Sequence, residues 1–423
     1  MKKRVLSLIL ITVLVYIGTL GHDFQYDWDD HWVVINDYTT AGFTFSNLWH
    51  ILTDFYRGQY APFNELSYVF VHALFGYSPM AFHAMSIIWH TANVVLVFFL
   101  VRSLLCHIHG AAKSASYDNI AWLAALLWAV HPMNVESVAW VSASKILVYA
   151  FFYLLALLLY LKYIESPTIA KYIGLVLLFV ASFFGKEQAV VLPLAFLLFD
   201  YAMGRKESVK YLLIEKLPFF ILAVFLGVVT IISQGYAYGV PEYPLDKRLF
   251  FAGYTLFEYL VKSVLPVNLS YLYPFPCAPD GDIPVLLYAY PVILLALGYF
   301  VYMQRKHRVL VVGILFFVIH LLVAIHLIST SRFAVVADRY NYVAMIGPMM
   351  IITVSLSVLY QRRKAVALCL GLVYFAYLCT YTLIYQRRWV DSKTLKATTE
   401  AFVSTGRNEN HKILKASSIP QPY

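Results

Sequence analysis

The feature that most constrains this chain is a succession of uncharged or nearly uncharged apolar runs, each roughly 17 to 25 residues long, the length a helix needs to cross about 30 Å of hydrocarbon. The runs are continuously apolar rather than alternating, which excludes a β-barrel, and lipid admits only helices or closed barrels. Composition agrees. Of 423 residues 61% are hydrophobic and 13% charged, and the mean hydropathy is +0.69, whereas a soluble domain carries about 25% charged residues. The expected fold class is an all-α polytopic membrane protein.

Eleven spans are expected, over residues 5–20, 80–101, 120–131, 146–161, 172–184, 189–202, 217–233, 285–302, 309–328, 343–360 and 365–385. The net charge of +9 sits in short clusters between runs, the pattern that writes membrane topology rather than nucleic-acid binding. Lys2, Lys3 and Arg4 start inside, and span parity then puts Arg205/Lys206/Lys210, Arg305/Lys306/Arg308 and Arg362/Arg363/Lys364 inside too. No small-x-small cleavage site follows the first run, so it is read as an uncleaved helix. The stretch Leu249 to Pro266 carries Glu258 and Lys262 and would invert the later loops if it spanned. It is therefore read as an interfacial or re-entrant helix on the outer face. The four cysteines form no C-x-x-C pair and read as small packing residues.

Acidic residues contribute little to orientation, so their distribution tests this topology independently. Only Asp118, Glu165, Asp200, Glu207 and Glu215 fall inside, leaving 18 of the 23 Asp and Glu on the outer side. The chemistry is expected there. The first outer loop, Gly21 to Pro79, is too long for a simple connection, and FTFSNLWHILTDFY within it suits a helix lying in the membrane interface. It opens with FQYDWDDHWVVIND, whose neighbouring Asp29 and Asp30 repel one another and titrate jointly, which suits a general base or a cation site.

Four further stretches face the same side. HPMNVESVAWVSASK brings His131, Glu136 and Lys145 to the interface, where a charge is costly and marks function. FFGKEQAVVLPL places Lys186, a compact cation suited to a phosphate, beside Glu187. Lys262 lies on the interfacial helix, ahead of the aromatic SYLYPFP. STSRFAVVADRYNYVAMIG supplies Arg332, Asp338, Arg339 and Tyr340, with Arg339 able to clamp a phosphate and Asp338 to orient it. His83 and His90 share one helical face with packing spacing. No motif has metal-ligand spacing, and no metal or cofactor is expected beyond an unassigned divalent ion.

In order, WDDHWVVIND, YAPFNELSYVF, GYSPMAFHAMSIIWHTANVV, AVHPMNVESVAW, GKEQAVVLP, YLVKSVLPVNLSYLYP, ADRYNYVAMIGP and QRRWVDSKTLKATTEAF resemble the transmembrane part of the transmembrane and tetratricopeptide-repeat O-mannosyltransferases and their bacterial homologues, a branch of the GT-C glycosyltransferases. The resemblance implies a catalytic membrane domain over residues 1–386, with an outer catalytic loop at 21–79 and an outer interfacial helix and loop at 246–283. It makes 387–423 an outer tail, the remnant of a repeat-domain start. It also implies an inverting enzyme of the bacterial inner membrane, active at the periplasmic face. Such an enzyme moves a hexose, mannose by family default, from a polyprenyl-phosphate carrier to an acceptor hydroxyl, a protein Ser/Thr first.

Asp29 or Asp30 would be the base; Lys186, Arg339, Lys262 and Arg332 would hold the donor phosphate; His83, His131, Glu136, Glu187, Asp338 and Tyr340 would support the pocket. Relatives often follow the basic residue after HP with an acid, whereas here Ile146 follows Lys145, and Lys145 stays outside the expected site. The competing readings are transfer to a glycolipid or polysaccharide, and a flippase or transporter for lipid-linked sugars. A transporter favours internal repeats and charges at the bilayer midplane, and here the charges gather on one face.

Overall fold

The computed structural model describes residues 1–110, 114–234, 243–327 and 334–409. Among these residues the chain is helical with no strand, an all-α polytopic membrane protein. A helix occupies each stretch expected to span. Six are long and apolar enough to cross a membrane on their own, and Asp338–Ala344 with Ile346–Arg362 makes a seventh if this pair, bent by 56°, is one span. Others, such as Ile169–Phe183 and Arg308–Leu321, are apolar but shorter. The helix Leu245–Val264 is not among the six.

Two spans form the centre. Val141–Glu165 is 72% buried and Pro79–His109 56% buried, whereas Val285–Met303 is only 6% buried and turns Val292, Leu295 and Tyr299 outward to lipid. The central helices are apolar all round, as expected of helices enclosed by others. Because lipid is as apolar as leucine, packing and polar contacts hold such helices together rather than hydrophobic burial. One such contact is His90, whose Nδ1 lies 2.7 Å from the Tyr342 hydroxyl and whose Nε2 lies 3.1 Å from the Ala129 carbonyl. Asn93 donates to the Leu147 carbonyl at 2.9 Å, and the Trp128 indole donates to the Tyr342 carbonyl at 2.8 Å. His90 is thus the packing residue its spacing suggests.

Close helix approach supplies the rest. A Cβ built on Gly347 would stand 2.1 Å from the Gly313 carbonyl oxygen, and one on Gly313 would stand 2.7 Å from Ile351. Only glycine lets Arg308–Leu321 and Ile346–Arg362 meet at this point.

The outer loop folds as short helices, Asp30–Val33, Asp37–Ala41, Phe45–Thr53 and Pro62–Phe75. Asn36 starts the second, its side chain accepting from the Thr39 amide at 2.9 Å. Phe45–Thr53 turns Asn47 and Ile51 inward and leaves Phe45 and Trp49 exposed, the amphipathic pattern of an interfacial helix. A tight turn follows. Tyr56 and Gln59 exchange both backbone hydrogen bonds, and Arg57 and Gly58 take φ of +47° and +77°, the pair of positive values that a two-residue turn of this hand demands.

Gly347→Ala is expected to lower the folded yield and unfolding temperature of the detergent-solubilised protein by forcing these two helices apart, a cost of about 1–3 kcal/mol. Gly371→Ala, where an added Cβ meets nothing within 4 Å, is expected to leave both unchanged. Size-exclusion yield and thermal unfolding of the two variants make the comparison.

Candidate active site

The two neighbouring aspartates part company in the fold. Asp30 is fully buried. Its Oδ2 accepts from the Gln25 amide at 2.7 Å, and its Oδ1 accepts from the Ser142 amide at 2.9 Å and from the Ser142 hydroxyl. This carboxylate ties the start of the outer loop to the turn that follows HPMNVESVAW. Burial pushes it from 3.8 up to about 6, against the hydrogen bonds of Ser142 and Gln25, which pull it down. Asp29, by contrast, is only partly buried and opens the helix Asp30–Val33 without capping it through its side chain. Asp29 is the more accessible carboxylate of the two.

Charges from separate turns gather around Lys145. Lys145 is the first residue of Lys145–Glu165 and lies in Coulombic range of Asp29, Lys186, Glu187 and Arg339. Its Nζ donates to the Gln59 side-chain oxygen at 2.7 Å, so the tight turn of the outer loop reaches directly onto it. No carboxylate among the described residues lies within ion-pair distance of Lys145. A cation at a helix N-terminus is also opposed by the macrodipole, and both facts favour an anion arriving at this point. Lys186 pairs with Glu187 at 2.9 Å, each of them partly buried.

Arg339 is held by Glu136, not by Asp338 as expected. Glu136 is fully buried, its Oε1 pairs with the Arg339 guanidinium, and its Oε2 accepts from the Arg339 amide at 2.8 Å. The guanidinium also lies over Trp140 at 5.4 Å and Tyr340 at 5.0 Å, which fixes its plane. Asp338 instead accepts from Tyr273 at 2.9 Å and Tyr385 at 3.2 Å. Because Asp338 turns to these tyrosines, the two neighbours serve opposite sides of the turn. Lys262 stands on the Asp338 side, paired with Glu258 at 2.8 Å and 5.3 Å from the centre of the Tyr273 ring.

The remaining expected residues are peripheral. His131 is buried and caps the turn after it, its Nδ1 accepting from the Met133 amide at 3.3 Å. His83 is buried and meets His22 edge to face at 5.8 Å. The Tyr340 carbonyl accepts from Gln188 at 3.5 Å. Arg332 lies outside the described residues. Among the described residues no three His, Cys, Asp or Glu side chains form a metal-holding group.

Lys145 is the residue the sequence reading passed over. The signal against it was the missing acid at Ile146, and its neighbour Gln59 lies 86 positions away, beyond any local pattern.

The sequence is similar to known proteins. Over 371 residues, 82% of this chain and 50% of the relative, the sequence is 26% identical to a Caenorhabditis elegans protein named protein O-mannosyl-transferase F38B6.6. It is 27% identical over 211 residues to Drosophila melanogaster protein O-mannosyl-transferase Tmtc1, 47% of this chain and 23% of the relative. It is 24% identical over 253 residues to human protein O-mannosyl-transferase TMTC2, 56% of this chain and 28% of the relative. The chain is thus similar to proteins named protein O-mannosyl-transferases. It spans about half the length of the worm protein. No protein-family model and no solved structure matches the chain.

The raised Asp30 value has a sign. Between 3.8 and about 6 the folded protein binds a proton that the unfolded chain releases. The Asp30 contribution to stability is therefore whole below 3.8 and is lost as pH rises through about 6. Asp30→Asn is expected to remove that slope from thermal unfolding measured across this window. It also sets an amide N–H against one of the donors, at a cost of about 1–3 kcal/mol.

Proposed function

We propose that this chain is an inverting glycosyltransferase of the bacterial inner membrane that moves a hexose from a polyprenyl-phosphate carrier to an acceptor hydroxyl at the periplasmic face. Mannose and a protein Ser/Thr are the first candidates, by analogy with the names of its relatives. The observation that carries the reading is that Asp29, Lys186, Glu187 and Arg339 all lie in Coulombic range of Lys145, which is held only by a neutral amide among the described residues. A partly buried cation with no paired acid calls for an anion, and the departing carrier phosphate is one.

In this reaction the acceptor oxygen attacks the anomeric carbon and the bond from that carbon to the phosphate oxygen breaks. The acceptor proton passes to Asp29, and the carrier phosphate keeps the electron pair and is stabilised by Lys145, Lys186 and Arg339. Glu136 fixes the Arg339 guanidinium, and Asp30 fixes the backbone from which Asp29 projects. Asp30 is thus a positioning residue. Lys262 and Asp338 shape the adjoining wall.

Asp29→Asn is expected to lower transfer from labelled polyprenyl-phosphate mannose by about 10²–10⁴-fold with little change in donor KM. Lys145→Ala is expected to weaken donor binding and turnover together. Undiminished transfer by Asp29→Asn in membranes would remove the proposed base.

A further inference from the structure

A wall of aromatic rings connects the base to the phosphate clamp. Trp28, the residue before Asp29, packs against Tyr271 with ring centres 4.5 Å apart. Tyr271 meets Trp140 at 5.4 Å, and Trp140 in turn carries the Arg339 guanidinium. Tyr271 is in Coulombic range of both Asp29 and Arg339. Trp389 closes the cluster from behind, 5.8 Å from Trp140 and 5.6 Å from Tyr271, and is fully buried.

Within this wall Tyr271 differs from the other site tyrosines. The hydroxyls of Tyr273 and Tyr385 are bound to Asp338, and that of Tyr68 donates to the Val141 carbonyl at 2.8 Å. The Tyr271 hydroxyl makes no hydrogen bond among the described residues. Its ring is only partly buried. A phenol fixed by three aromatic neighbours, with its polar tip unspent, presents a rigid donor at low entropic cost.

We infer that Tyr271 binds the transferred hexose, its hydroxyl bonding a sugar hydroxyl while Trp28 and Trp140 hold its ring in register between Asp29 and Arg339. This rests on the glycosyltransferase reading, because only there must a sugar lie between a base and a departing phosphate. The phosphate is read by the cations and the sugar by Tyr271.

The test uses the full chain in detergent and two probes, a short synthetic polyprenyl-phosphate mannose and the same polyprenyl phosphate without sugar. Tyr271→Phe keeps the ring packing. It is expected to weaken the mannose donor about 3- to 10-fold, the scale of one lost hydrogen bond, and to leave the sugar-free phosphate unchanged. Equal loss for both probes, or loss for neither, overturns the inference. Lys145→Ala tests the underlying reading separately: it is expected to weaken both probes, and unchanged binding of both overturns the phosphate seat.

Discussion

The outer site depends on one buried carboxylate. Asp30 takes amide donors from Gln25 and Ser142, and the same segment is fastened by Gln25 to the Trp389 carbonyl and by the Asp27 amide to Ser392. A buried acid without donors would cost several kcal/mol. With these donors it becomes a tether that permits only one arrangement of loop and bundle. The two members of the aspartate pair thereby differ, Asp30 buried and bonded on both oxygens and Asp29 only partly buried.

Charge is treated differently in two clusters. Away from the candidate site, Arg205 contacts Asp200 at 3.1 Å and Glu215 at 2.8 Å, and Lys216 reaches the same two carboxylates at 2.5 Å each. Tyr160 donates to Asp200 at 2.6 Å and Tyr163 to Glu215 at 3.0 Å. Every cation of that cluster has an acid, so it reads as a closed structural joint between helices. At the candidate site Arg339 pairs with Glu136 and Lys186 with Glu187, whereas Lys145 rests on the Gln59 amide. Lys145 is the cation there with no paired acid among the described residues.

Much of this was legible in the sequence. The helical stretches could be read from apolar runs, and Lys186, Glu136, Arg339 and the aspartate pair were each visible as charges where charge is costly. What could not be read was pairing across the chain. Asp338 precedes Arg339, yet adjacent residues on a tight turn point apart, and Glu136, 203 positions away, takes the guanidinium. Lys145 was set aside for lacking an acidic neighbour, when the absence of an acid is what leaves it for a ligand. Tyr271 sits in the aromatic stretch SYLYPFP, and only tertiary packing sets it beside Trp28.

The most direct test of this account is a structure of the chain with polyprenyl phosphate bound. The account predicts phosphate density in contact with Lys145 and Lys186 on the outer face, with Gln59 displaced from Lys145 and Asp29 on the open side. Phosphate seated elsewhere, with the Gln59 to Lys145 contact intact, would contradict it.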